Sequence, residues 1–319
     1  PLYSSAASDV YKRQPIEETI ELSHLTHNNL KDLTVTFPQQ AMSVITGVAG
    51  SGKSSLIHSG FASRDDVSYI TQKAVHASSR SNLLTFMDIF DEVRSFFSEH
   101  TNLKKSMFSY NSEGACPQCH GKGVLKTELA FMPDFTQVCD LCHGTRYDPE
   151  VLEATVHDYS IADILALTVD EALEYFSHND NIISALKALK STGLNYMTLG
   201  QSLSTLSGGE TQRAKLSKHL IDKVENHIFI FDEPTTGLHE NDIHILMNCF
   251  DDLIAANNTI ILIEHNLTVM TQADWIVDIG PYAGEQGGYL LFEGRPQALL
   301  DQTSSFTAKH LKNYITQNK

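Results

Sequence analysis

The chain has 319 residues, 41% of them hydrophobic, and a formal net charge of −16. That length can bury one large or two ordinary domains, and the acidic balance excludes a general nucleic-acid coat. Residues 151–319 hold 22 acids against 10 bases, but residues 101–150 hold 6 against 5, which leaves room for a local phosphate-contacting patch in the middle. No apolar run reaches the length of about 18 residues that a membrane span needs, and no secretory leader is recognisable, so a cytoplasmic protein without a membrane partner is expected.

Residues 1–14, Tyr11 included, do not fit the patterning of the rest of the chain and read as a non-native leader of adapter-derived sequence. From Thr19 the apolar positions alternate, with Ile20, Leu22 and Leu25, then Leu30, Leu33, Val35 and Phe37, predicting two short strands around a turn at Asn28-Asn29. A third strand, Met42 to Thr46, delivers Gly47-Val-Ala-Gly50-Ser-Gly52-Lys53-Ser54, followed by Ser55 and a helix-compatible run. A Gly/Ser-rich turn would fit the same residues, but a strand before and a helix after are the context of a phosphate-binding loop. Its amides would cradle a polyphosphate, Lys53 would reach the terminal phosphates, and the Ser54 hydroxyl would ligate Mg²⁺. Val67 to Ile70 predicts another strand, ending at Gln72, which is either a surface polar residue or a ligand to Mg²⁺ or the attacking water. Phe86, Met87, Ile89, Phe90, Val93, Phe96 and Phe97 are spaced for one amphipathic helix.

Cys116-Pro-Gln-Cys119 and Cys139-Asp-Leu-Cys142 are two C-x2-C pairs, each followed by His-Gly. In a reducing compartment four such thiolates predict a closed tetrahedral Zn²⁺ site, structural because no position is left for water. An iron–sulfur site or two redox pairs are the alternatives. His120 and His143 read as turn residues, Gly121 and Gly144 relieve the backbone at the bends, and Cys249 reads as a core residue.

Helix-like stretches at 161–167, 169–176 and 182–189 lead to Leu203-Ser-Thr-Leu-Ser207-Gly208-Gly209-Glu210, the signature loop of ATP-binding-cassette (ABC) ATPases, where Ser207 and the glycine amides at a helix start make an anion site. Ile228 to Phe231 predicts a buried parallel strand ending in Asp232-Glu233, with Asp232 placed to hold Mg²⁺ through water and Glu233 to polarise the attacking water. Ile260 to Ile263 predicts another, ending in Glu264-His265, where His265 can bond the γ-phosphate. The order of these elements predicts an α/β P-loop NTPase of the ABC ATPase type that binds ATP with Mg²⁺ and carries an inserted helical and zinc-binding module. The expected division is 15–76 and 201–319 for the ATPase core and 77–200 for the insert.

Over about residues 20 to 302 the chain resembles the C-terminal half of the UvrA family of the ABC excinuclease. The stretches that carry the resemblance are Asn28 to Leu33, Ile45 to Ser54, Cys116 to Tyr147 with its Phe131-Met-Pro-Asp134 centre, Thr205 to Glu210, Asp232 to His239, Ile263 to Leu267 and Ala273 to Pro281. The resemblance implies ATP-dependent recognition of damaged or distorted duplex DNA in nucleotide excision repair. It makes Lys122, Lys126 and Arg146 candidate DNA contacts. It also implies a second cassette as partner, homodimerisation, and a UvrB-like partner that docks through regions absent here. The sequence departs from the family in three ways: Gln72 follows Ser54 by only 18 positions, Lys73-Ala-Val-His76 replaces a more regular segment, and one cassette is present instead of two. These departures suggest a short paralogue, and they keep two alternatives open: a UvrA-like ATPase of drug self-resistance, and a non-catalytic zinc-dependent DNA-binding fragment. A transporter subunit would have no use for the zinc insertion.

Overall fold

Three apolar runs become the centre of one sheet. In the computed structural model, described over residues 17–73, 81–127, 135–222 and 224–317, the chain opens with an antiparallel pair, β1 (Thr19–Leu25) and β2 (Leu33–Pro38). Next come β3 (Met42–Thr46), α1 (Lys53–Phe61) and β4 (Val67–Ile70). A helical stretch follows with α2 (Leu83–Phe86), α3 (Phe90–His100), the hairpin β5 (Val124–Thr127) and β6 (Phe135–Val138), and α4 (Pro149–Leu152). It continues through the short pair β7 (Thr155–Val156) and β8 (Tyr159–Ser160), then α5 (Ile161–Ala166), α6 (Val169–Tyr175), α7 (Asp180–Ser191) and α8 (Gly208–Asp222). The chain ends with β9 (Ile228–Asp232), α9 (Glu240–Ala255), β10 (Thr259–Ile263), α10 (Leu267–Gln272), β11 (Trp275–Gly280), β12 (Tyr289–Gly294), α11 (Pro296–Leu299) and α12 (Phe306–Gln317). The leader at 1–14, Ala74 to His76, Phe131 to Asp134 and the Lys126 side chain lie outside the described residues.

The chain divides into two compact units, Pro1–Thr71 with Lys223–Lys319, and Gln72–Asp222. The first holds a six-stranded sheet of order β12-β11-β3-β10-β9-β4, parallel except for the antiparallel edge strand β12. Every residue of β3 and β10 is buried, as expected of strands covered on both faces. The parallel register sets Ile263 opposite both Ile45 and Asp232, so the segments that follow β3, β9 and β10 emerge side by side at the C-terminal edge of the sheet. Ligand sites of open α/β sheets form at that edge.

The second unit is built around a helical core that includes Leu83, Phe97, Phe108, Tyr147, Ile164, Leu186 and Ala214. Its helix starts are written locally. Ser160 with Asp163, and Thr168 with Glu171, form reciprocal capping boxes that start α5 and α6, where two separate helix-like stretches are expected from the sequence. The single amphipathic helix expected from Phe86 to Phe97 is instead two, α2 and α3. Asn82 caps the first, and Asp88 adopts a left-handed backbone (φ 59°) that stops it before α3 begins. The boundary expected at 200/201 falls at 222/223, because α8 packs with the helical core through Ala214 and through a 2.8 Å hydroxyl contact between Thr192 and Ser217. Cys249 is buried as expected, and burial pushes its thiol up to about 12.

Candidate functional site

The phosphate loop connects β3 to α1, and its outward groups are already satisfied. The carbonyl of Gly50 accepts from the Asn29 amide at 3.2 Å and from the Gly284 N–H at 3.0 Å, and the carbonyl of Ser51 accepts from Gly288 N–H at 2.9 Å. Asn28 donates to the Ser55 hydroxyl at 2.9 Å. With these groups tied outward, the loop offers its amides and the N-terminus of α1. Among the described residues, no side chain caps α1 at Gly52, and the buried Ser51 hydroxyl has no hydrogen-bond partner. An uncapped helix start beside an orphaned hydroxyl and a lysine fits a polyphosphate. Lys53 is buried and donates to the carbonyls of Gly47 at 2.8 Å and Val48 at 3.0 Å. Burial lowers its pKa, against the opposing pull of Glu233, Asp232 and Asp278.

Asp232 ends β9, half-buried, and accepts a 3.4 Å bond from the Tyr69 hydroxyl. Burial raises its pKa and the neighbouring Glu233 adds to that, while burial beside Asp232 pushes the Tyr69 phenol up to about 12. Glu233 has a left-handed backbone (φ 49°), and its Oε1 lies 3.9 Å from His265 Nε2, with both side chains about half exposed. Burial and the charge of Lys53 hold His265 below its ordinary value, so the imidazole is neutral near pH 7. Gly47, Gly50, Gly52, Lys53, Ser54, Ser55, Asp232, Glu233 and His265 thus all belong to the first unit.

Gln72 and the signature loop belong to the second unit. A Cβ built on Gly208 would stand 3.0 Å from Gln72 Oε1. Ser207 N–H donates to Glu210 Oε2 at 2.7 Å while Glu210 N–H donates back to the Ser207 hydroxyl at 3.2 Å, a reciprocal cap that starts α8 at Gly208 and Gly209. The exposed Tyr196 donates to Glu210 Oε1 at 2.6 Å.

The four cysteines converge. Their sulfurs lie within 4.8 Å of one another, with Cys116 3.8 Å from Cys139 and Cys119 3.6 Å from Cys142. A tetrahedron of thiolates at about 2.3 Å from a zinc ion has edges of about 3.8 Å, so the donor set fits. The two knuckles share one backbone design. His120 N–H donates to the Cys116 carbonyl and His143 N–H to that of Cys139, each at 2.8 Å, and both histidines are exposed turn residues. The amides of Cys142 and Leu141 pull the Cys139 thiol down to about 7. Lys122 is exposed, whereas the Arg146 guanidinium stacks over the Tyr110 ring at 5.2 Å.

Residues to which the sequence assigned no role complete the picture. Asp278 on β11 is buried opposite Thr46, and it accepts from Ser305 at 2.5 Å and Thr307 at 3.2 Å at the start of α12. Burial raises its pKa. Glu264, Asn29, Tyr69 and Asp278 carry no local pattern that periodicity could reveal, and only the turn at Asn28-Asn29 was legible.

The profile of the ABC transporter family matches residues 30–236. The UvrABC system protein A of Staphylococcus aureus (strain COL) is 37% identical over 340 aligned residues, covering 97% of this chain and 36% of that protein. The protein of the same name from Lactococcus lactis is 38% identical, covering 94% of this chain and 36% of its own length. The crystal structure of UvrA2 from Deinococcus radiodurans superposes with a TM-score of 0.84 at 38% identity, over 92% of this chain and 39% of that one. The chain thus spans little more than a third of these relatives. No described helix is long and apolar enough to cross a membrane. The fold, the profile and these relatives together place the chain in the ATP-binding-cassette ATPase family, in its UvrA branch.

Proposed function

We propose that the chain is a MgATP-hydrolysing cassette of a UvrA-like protein of nucleotide excision repair, whose turnover gates binding to damaged or distorted duplex DNA. The observation that carries this reading is the meeting of Lys53, Asp232, Glu233 and His265 at the C-terminal edge of one parallel sheet, in a chain that also gathers four cysteines. Lys53, Ser54, Ser55 and the amides around Gly47, Gly50 and Gly52 would hold the phosphates. Asp232 would orient Mg²⁺ through water. Bound Mg²⁺ would neutralise charge between the β- and γ-phosphates. Glu233 would accept the proton of the attacking water, and the neutral His265 would donate a hydrogen bond to the γ-phosphate. Ser207, Gly208 and Gly209 would complete the nucleotide site of a second cassette.

The four thiols fit a structural Zn²⁺ clip, and Lys122 would meet DNA phosphates from its surface, reading shape and deformability rather than bases. The engagement of Arg146 with Tyr110 favours a packing role for that residue. A UvrB-like partner would dock through regions beyond this chain.

The test is ATP turnover by the complete two-cassette gene product at one fixed salt concentration, with and without damaged duplex DNA. Stimulation by DNA that disappears on replacing Cys139 and Cys142 is expected. Turnover indifferent to DNA would overturn the repair reading in favour of a self-resistance role.

A further inference from the structure

We infer that Glu264 is a positioning residue for ATP hydrolysis, a buried carboxylate that ties the Glu233 turn to the His265 turn; the inference rests on the ATPase reading above. Glu264 follows the last residue of β10, and its N–H donates to the Ile45 carbonyl on β3 at 3.1 Å. On the other side, Glu233 N–H donates to the Ile263 carbonyl at 2.9 Å. Glu264 therefore sits where the strands bearing the phosphate loop, Glu233 and His265 all end.

Its side chain is 3% exposed and accepts four hydrogen bonds. Oε1 takes the Thr235 N–H at 2.9 Å and the Thr235 hydroxyl at 2.5 Å. Oε2 takes the N–H groups of His265 at 2.8 Å and Asn266 at 3.1 Å. All four partners donate, so only a carboxylate satisfies them. A carboxamide in its place would turn an NH₂ toward one pair of donors and break that half of the bridge.

The consequence falls on two side chains that do not hold each other. Glu233 and His265 are 3.9 Å apart, too far for a hydrogen bond, and the Thr236 hydroxyl contacts Glu233 Oε2 at 3.4 Å from the same turn, so the separation of the pair depends on how the two turns are held. Glu233 also has a left-handed backbone, which is unfavourable for a non-glycine residue, and the hydrogen bonds of its turn oppose relaxation. Thr235, two residues on, is held by both its N–H and its hydroxyl on Glu264, and Thr236 N–H returns to the Glu233 carbonyl at 3.1 Å. On the far side, Asn266 uses its side chain to cap α10, so the His265 turn is anchored between the carboxylate and a helix. Glu264 is thus the hinge pin between the two turns.

The test uses the two-cassette protein and compares Glu264→Gln, Thr235→Val and Thr235→Ser. Thr235→Val removes the hydroxyl while keeping shape and N–H, and Thr235→Ser restores it. For Glu264→Gln and Thr235→Val we expect kcat to fall by about 10- to 100-fold, the scale of a misplaced catalytic group, with KM for ATP and nucleotide affinity little changed. Thr235→Ser should stay close to the parent. If the parent turns over ATP and both variants keep its kcat, the inference is overturned while the ATPase reading stands. It is overturned equally if nucleotide affinity falls in step with kcat, or if both variants fail to fold, since either marks a merely structural bridge. A parent without turnover would overturn the ATPase reading and the inference with it.

Discussion

Replacing Gly47 with alanine would place a methyl carbon 2.0 Å from the Ile279 carbonyl oxygen and 2.9 Å from the Ser51 hydroxyl. Neither neighbour can yield easily. Ile279 lies in β11, which is paired with β12 at that residue and with β3 one residue earlier, and Ser51 is buried within the loop. The backbone at Gly47 has φ 135°, so an added side chain is strained as well as crowded. Gly237 offers a control, because it has φ 77° but nothing within 4 Å of a built Cβ. Its substitution by alanine should cost only the backbone preference, about 1–2 kcal/mol. At Gly47 overpacking adds about 1–3 kcal/mol, for a total of about 2–5 kcal/mol. In a unit of this size each kcal/mol lowers the midpoint by about 2–4 °C, so thermal melts should rank Gly47→Ala clearly below Gly237→Ala. The displaced loop should also lose at least about tenfold affinity for a non-hydrolysable ATP analogue, or about 1.4 kcal/mol, which Gly237→Ala should not. Equal melting points and equal analogue affinity in the two variants would refute the steric reasoning.

Glu233→Gln should keep ATP binding and lower turnover by at least about 100-fold; normal turnover would remove Glu233 from its role as proton acceptor. The acid limb of the rate profile should lie below 6.5, because burial and Lys53 depress His265 in the folded state. For the same reason the contribution of His265 to stability is present above pH 6.5 and is lost as pH falls through the window beneath it. A limb at or above 6.5 that disappears in His265→Gln would contradict this. One zinc equivalent per chain should be found by elemental analysis. Cys119→Ser should weaken metal binding by more than about 100-fold and open residues 115–147 to limited proteolysis, whereas full metal content with unchanged protection would rule the clip out.

The sheet was legible because its central strands are buried on both faces and read as short apolar runs, unbroken in Ile228–Phe231 and Ile260–Ile263 and interrupted in Met42–Thr46 only by Ser43 and Thr46. The loops after them were legible because a phosphate site needs particular residue types in a particular order. What stayed hidden depends on register. Glu264 meets Thr235 only because β10 lies beside β9, and Asp278 meets Thr46 only because β11 lies beside β3. The break between α2 and α3 was invisible to hydrophobic spacing, since the left-handed backbone of Asp88 leaves the apolar period on either side intact.

The clasp between Asp278 and the start of α12 bears on how this chain should be handled in the laboratory. Ser305 not only bonds the carboxylate but also caps the helix, accepting from Ala308 N–H at 2.9 Å, and Thr307 lies 3.4 Å from Thr46, the residue just before the phosphate loop. A shortened version ending before Ser305 would strip the donors from a buried carboxylate that stands beside the strand leading into the nucleotide cradle, at a cost of about 1–3 kcal/mol per orphaned group. Trimming for expression or crystallisation should therefore stop after α12.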